Sequence, residues 1–153
     1  MYGEISNGQL KLNDAGKMVE KWYYELENKF PDVKCHAMIV MPNHFHCILE
    51  NVGAIGADTQ VSPYRTGLPP NGDSDRDEPT CSSLSHVVQW FKTMTTNEYI
   101  RGVKNSNWQP FRGKLWQRNY YEHIIRNDQS YHRISKYIID NPAKWMDKKS
   151  KNY

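Results

Sequence analysis

After Asn13-Asp14, apolar residues recur at Val19, Trp22, Tyr23, Leu26 and Phe30, a spacing that sets one stripe of an α-helix against a core. The Asn-Asp pair can cap the first turn and Pro31 forbids continuation, so the pattern predicts a helix between them. The period then shortens. Lys34 to Met41 and Asn43 to Glu50 are strand-like runs separated by Pro42-Asn43, a turn-forming pair, and predict a hairpin. A second helical stripe, Leu84, Val87, Val88, Phe91 and Met94, continues toward Tyr99 and Ile100 behind a Ser83 or Ser85 cap. Leu115 to Ile125 reads as a further strand. Tyr131, Ile134 and Ile138 mark a last helix from about Gln129 to Asn141, stopped by Pro142, with a basic tail expected to fray from Lys144. Ahead of these, Gly3 to Lys11 alternates around Asn7-Gly8 and predicts a small peripheral hairpin.

Residues 52 to 82 are rich in Gly, Pro, Ser, Asp and Thr and have no helical or strand period, which predicts a mobile surface loop rather than a second domain. The remaining order is helix, two strands, helix, strand, helix. In 153 residues this predicts one α+β domain, an antiparallel sheet with helices packed on it. There is no apolar run long enough to span a membrane and no basic-then-apolar leader, so a cytoplasmic location is expected. Three cysteines, Cys35, Cys47 and Cys81, are an odd count at irregular spacing, which fits a reducing compartment.

The net charge of +3 conceals an asymmetry. Residues 1 to 82 hold 7 Lys/Arg against 12 Asp/Glu, a balance of −5, and residues 83 to 153 hold 13 against 5, a balance of +8. The basic half also contains Trp90, Trp108, Trp116, Trp145, Tyr120 and Tyr121, a mixture that can stack bases and neutralise phosphates. At least half of those aromatics are expected in the core, so this composition supports nucleic acid without specifying it.

His44 and His46 stand two apart at the start of the second strand of the hairpin. Side chains alternate across a strand, so both imidazoles point to one side and can reach one metal ion. Two histidines at this spacing can equally be ordinary hydrogen-bonded residues of a half-buried strand. Structural zinc is a poorer fit, because no Cys-x-x-Cys pair is present and Cys47 points away from His46. A zinc deaminase would need His-x-Glu and a later Pro-Cys-x-x-Cys, and neither occurs. On the last helix, Tyr137 and Asn141 are four apart and share a face, which brings a phenol and an amide together.

Three ordered blocks carry a resemblance. They are Met-Pro-Asn-His-Phe-His-Cys-Ile around His44 and His46, the run from Leu115 through Arg118, Tyr120, Tyr121 and His123 to Arg126-Asn127, and Tyr137-Ile138-Ile139-Asp140-Asn141-Pro142. Over about Gly3 to Trp145, less the 52 to 82 loop, the chain resembles the single-tyrosine HUH transposases, most closely the REP-associated tyrosine transposases. The resemblance implies a ferredoxin-like HUH nuclease fold and metal-dependent cleavage and joining of single-stranded DNA beside hairpins. It implies Tyr137 as the nucleophile that keeps the 5′ phosphate, and His44, His46 and Asn141 as ligands of a divalent ion, Mg2+ or Mn2+. Insertion-sequence members usually carry Gln where Asn141 stands, whereas REP-associated relatives tolerate Asn. Members also begin with a strand ahead of Gly3-Glu4-Ile5, for which this sequence has no room, so the expectation is either a missing first strand, with the sheet incomplete or completed by a partner, or a shortened start.

Lys92 lies off the second helical stripe and can reach phosphate. Arg118, Tyr120, His123 and Arg126 are further candidate DNA contacts, with strand packing the ordinary role of His123. The expected partner is single-stranded or hairpin DNA, with a homodimer among the assemblies open to the chain. The rival expectation is a domesticated or truncated protein that binds a DNA hairpin without cutting it.

Overall fold

The computed structural model describes residues 2–6, 9–54 and 82–150. The Asn7-Gly8 turn and most of the 52 to 82 loop lie outside the described residues. The chain is α+β: β1 (Gly3–Ser6) and β2 (Gln9–Leu12) form one antiparallel pair, followed by α1 (Asp14–Lys29). A second antiparallel pair, β3 (Val33–Val40) and β4 (Phe45–Asn51), precedes a 3-10 turn at Val52–Ala54. Three helices follow, α2 (Leu84–Asn105), α3 (Asp128–Ile139) and α4 (Asn141–Ser150).

α1 begins and ends as its sequence dictates. The Asn13 side chain accepts from the Gly16 N–H at 3.0 Å, and the N–H of the C-cap Phe30 closes on the Leu26 carbonyl at 2.8 Å. Its stripe of Met18, Val19, Tyr23 and Leu26 is buried. Tyr23 ties this helix to the hairpin: its hydroxyl donates to the Ile48 carbonyl at 2.7 Å and lies 3.2 Å from that of His36.

The β3–β4 hairpin has two distinct faces. Phe45, Cys47 and Leu49 pack with Cys35, Met38 and Val40 against the core of α1 and α2. The Phe45 ring lies 5.6 Å from that of Tyr23 and 5.3 Å from that of Phe91. Strict alternation would send Cys35 and Met38 to opposite faces; a register irregularity between them keeps both inward. The opposite face carries His36, His46 and Glu50 and is covered by α3, through ring contacts of Tyr131 with His36 and of Tyr137 with His46.

Four expectations are corrected. Leu115 to Ile125 does not form a strand; Trp116 instead turns inward, stacks on Tyr2 at 5.5 Å and donates through Nε1 to Thr95 Oγ1 at 2.8 Å. Beyond it the chain runs over the surface, with Tyr121 93% and Ile124 71% exposed. An apolar run becomes a strand only if it meets a sheet edge, and here only Leu115 and Trp116 pack inward, against the core and not in a ladder.

The second correction concerns α2, whose buried stripe is Val87, Phe91, Thr95, Tyr99 and Gly102, while Leu84 and Ile100 are exposed. Thr95, not Met94, is the inward residue, because its hydroxyl is satisfied by donating to the Phe91 carbonyl at 2.7 Å while it accepts from Trp116. The third concerns the N-terminal hairpin, which is integral rather than peripheral. Tyr2 is 3% exposed, its N–H donates to the Pro42 carbonyl, its own carbonyl accepts from Asn13, and a Cβ at Gly16 would overlap that carbonyl.

The fourth concerns Pro142, which does not end the helical course. Asp140 caps α3, and Asn141 opens α4 with Pro142 in its first turn, where a missing N–H breaks no helical bond. The basic tail is therefore helical through Ser150. No helix among the described residues is long and apolar enough to cross a membrane.

Candidate functional site

His44 and His46 do share a side of the hairpin, with ring centroids 4.8 Å apart. Their position follows from the turn: the Met41 N–H donates to the His44 carbonyl at 2.8 Å, so Pro42-Asn43 is a tight connection and the pair starts β4 in fixed register. The Asn43 side-chain oxygen lies 2.7 Å from His44 Nδ1. With that nitrogen donating, the lone pair of the neutral ring is on Nε2, the arrangement expected of an oriented ligand. Burial pushes the His46 pKa down from 6.5, which favours the neutral imidazole that a metal requires.

Tyr137 of α3 reaches this pair, its ring edge-on to that of His46 at 5.9 Å. It is 47% exposed, so a phenol used as a nucleophile would be open to a large substrate. Asn141 follows one turn later at the start of α4, 7% exposed, and its Nδ2 has no hydrogen-bond partner among the described residues. An unpaired buried amide donor costs on the order of 1–3 kcal/mol and calls for an acceptor such as a phosphate oxygen, whereas a cation would take the amide's carbonyl oxygen.

Two further residues come from the segment expected to fray. Trp145 lies 5.4 Å from the ring of His44, and the Lys144 ammonium stands 5.2 Å from the ring centroid of Tyr137. Tyr137, Asn141 and Trp145 thus succeed one another at intervals of four residues across the α3–α4 junction, and the outer two touch the histidine pair. Reading Asn141-Pro142 as a helix start rather than a stop would have found them. The donor set of two imidazoles and a buried amide suits a divalent ion with open coordination positions. Among the described residues, no group of three or more His, Cys, Asp or Glu side chains is arranged to hold a metal.

A second polar cluster lies on the same face. His36 Nε2 is 2.7 Å from a Glu50 carboxylate oxygen, and His36 Nδ1 is 3.3 Å from the Tyr131 hydroxyl. This carboxylate–imidazole–phenol chain joins β4, β3 and α3, and anchors the helix that carries Tyr137. Spacing alone could not reveal it, since its members are far apart in sequence.

The remaining candidates sit elsewhere. Lys92 is spent internally, donating to the Gln117 carbonyl at 2.8 Å and standing 5.4 Å from the ring centroid of Tyr120; burial pushes its pKa down. Arg118 and Tyr120 line a groove beside α2, on the opposite face of the hairpin from α3. His123 and Arg126 are exposed on the segment leading into α3.

Fold and site together define an α+β protein in which a histidine pair, a tyrosine and a tryptophan meet where a β-hairpin faces two consecutive helices, with Asn141 buried between Tyr137 and Trp145 in sequence. A protein from Haemophilus influenzae, described as uncharacterized, is 35% identical over 147 residues, covering 95% of this chain and 74% of that protein. The chain belongs to the same family as that protein. No family model and no solved structure matches it.

Proposed function

We propose that this protein is a metal-dependent single-stranded DNA endonuclease and strand transferase of the REP-associated tyrosine transposase type, acting beside DNA hairpins. The observation that carries the reading is the contact of Tyr137 with His46, beside His44, across the hairpin–helix boundary. Here Tyr137 is the nucleophile. Its phenol oxygen forms a bond to phosphorus as the bond from phosphorus to the 3′ oxygen breaks; the phenol loses a proton, the departing oxygen gains one, and the 5′ end stays on the tyrosine.

His44, His46 and Asn141 would hold a divalent ion, Mg2+ or Mn2+, whose chemistry when bound is to polarise a non-bridging phosphate oxygen and offset its developing charge. Lys144, beside the Tyr137 ring, adds positive charge where an anionic phosphate must approach. Trp145 packs against His44 and limits the rotation of that ring. The Glu50–His36–Tyr131 chain holds the nucleophile's helix on the sheet.

The irregular course of residues 115–125, where a strand was expected, favours a second reading, a hairpin-binding protein that does not cut. A 3′-labelled hairpin oligonucleotide incubated with the protein and Mn2+ separates the two, because the segment left on the tyrosine is the one 3′ of the cut. A denaturation-resistant protein–DNA adduct supports the enzyme, and its absence with hairpin binding retained supports the binder.

A further inference from the structure

A groove of about 680 Å³ runs between the outer face of α2 and the segment 111–120. Gln89, Thr93 and Asn97, spaced four apart, present amides and a hydroxyl along α2. Lys92, Lys114 and Arg118 also line it, and none of the lining residues carries a carboxylate. In a chain with 17 Asp and Glu residues, that is a local selection of one sign.

The roles of the three cations differ. Lys92 bonds the carbonyls of Gln117 and Arg118 at 2.8 and 3.4 Å, and so fixes the backbone of the wall. Lys114 and Arg118 are exposed and have no ion-pair partner among the described residues. Next to them Tyr120, 42% exposed, offers a ring held near the Lys92 ammonium. Exposed cations, an open aromatic ring and a row of amide and hydroxyl groups match a strand whose phosphates and base faces are both accessible. A duplex hides its base faces, and an acidic peptide would leave the ring without a stacking partner.

We propose that this groove binds single-stranded nucleic acid, with phosphates on Lys114 and Arg118, a base stacked on Tyr120, and base edges facing Gln89, Thr93 and Asn97. It lies on the opposite side of the β3–β4 hairpin from Tyr137, so it is an accessory track for the strand and not part of the cleavage site. The inference rests on reading the substrate as single-stranded DNA, but not on cleavage itself.

The test is fluorescence anisotropy of a labelled single strand roughly ten nucleotides long, within the span of known single-strand sites. The full chain with Tyr137→Phe is used, in the presence of a chelator, so that neither cleavage nor metal contributes. Lys114→Glu with Arg118→Glu should weaken binding by at least about tenfold and lower the salt slope by roughly 1.4, as expected for two lost phosphate contacts. Tyr120→Ala should weaken it by about tenfold with the slope unchanged. Arg118→Lys, which keeps the charge, should retain most affinity, and unchanged thermal melting identifies these as surface effects.

Wild-type affinity and slope in the double variant would overturn the groove, as would equal competition by duplex DNA or by a phosphorylated peptide. If that variant binds normally while the Tyr137 chain still forms the covalent adduct, only the groove has failed. Strand binding through the groove without any adduct would instead sink the nuclease reading and keep this one.

Discussion

The ring of Tyr137 meets the ring of His46 edge-on, with centroids 5.9 Å apart and planes at 75°. Replacing Tyr137 by Phe preserves the ring and this contact while removing the only atom able to form the phosphotyrosine. The variant is expected to fold and bind a hairpin strand as the parent does, and to form no covalent product in a denaturing gel. Adduct formation at the wild-type rate would mean that another tyrosine is the nucleophile, which peptide mapping would locate.

Lys144 is tied to the same ring by a cation–π contact at 5.2 Å. Lys144→Met keeps the length of the side chain and deletes its charge. Adduct formation should slow by about tenfold, the cost of roughly 1.4 kcal/mol of lost charge stabilisation, with strand affinity little changed. Single-turnover rates measured at saturating DNA would reveal it, and an unaltered rate would remove Lys144 from the chemistry.

The Tyr131 hydroxyl and His36 Nδ1 are 3.3 Å apart, and Glu50 holds the other side of that imidazole. Removing the hydroxyl with Tyr131→Phe should cost about 1 kcal/mol of stability, a typical net worth for one hydrogen bond. Because the bond joins α3 to β3, amide exchange should quicken selectively in α3 while α1 stays protected. Uniform loosening of both helices would contradict a local anchor.

Cys35 lies under α1, its Sγ 3.2 Å from the Tyr23 carbonyl, and burial reinforced by Glu27 pushes its pKa from 9.0 up to about 11. A thiol that stays protonated in the fold but ionises when unfolded contributes stability that is present below 9.0 and is lost as pH rises toward 11. The urea midpoint should therefore decline over that window, and less steeply in Cys35→Ala. Alkylation of Cys35 at neutral pH should be slow unless the protein is unfolded.

The residues flanking positions 55 to 81 are tied together: Asn51 Nδ2 donates to the Ser82 carbonyl at 2.8 Å, and the Ser82 N–H bonds the Asp32 carboxylate. Replacing residues 55 to 81 with a short Gly-Ser bridge should thus leave the ends where they are. The deleted protein is expected to melt cooperatively within a few degrees of the parent, since shortening a connection between two fixed ends changes closure entropy only by about 1 kcal/mol. Loss of a cooperative transition would show that the loop contributes to the core.

The helix stripes of Val19, Tyr23 and Leu26 and of Val87, Phe91 and Tyr99, the Asn13 cap and the Pro42-Asn43 turn are local properties and were legible in the sequence, which left the second cap between Ser83 and Ser85. So was the common side of His44 and His46, because strand alternation needs no partner to operate. What lay beyond it depended on contacts between distant residues. Leu115 to Ile125 joins no sheet edge; Trp116 packs on Tyr2 and bonds Thr95 instead. The Asn141-Pro142 pair permits either a helix end or a helix start, and its outcome placed Lys144 and Trp145 at Tyr137 and His44. The Glu50–His36–Tyr131 chain exists only once β3, β4 and α3 have packed, and the groove beside α2 only once the segment 111–120 lies against that helix. Periodicity determines which way a side chain points from its own element; only tertiary packing determines what it meets there.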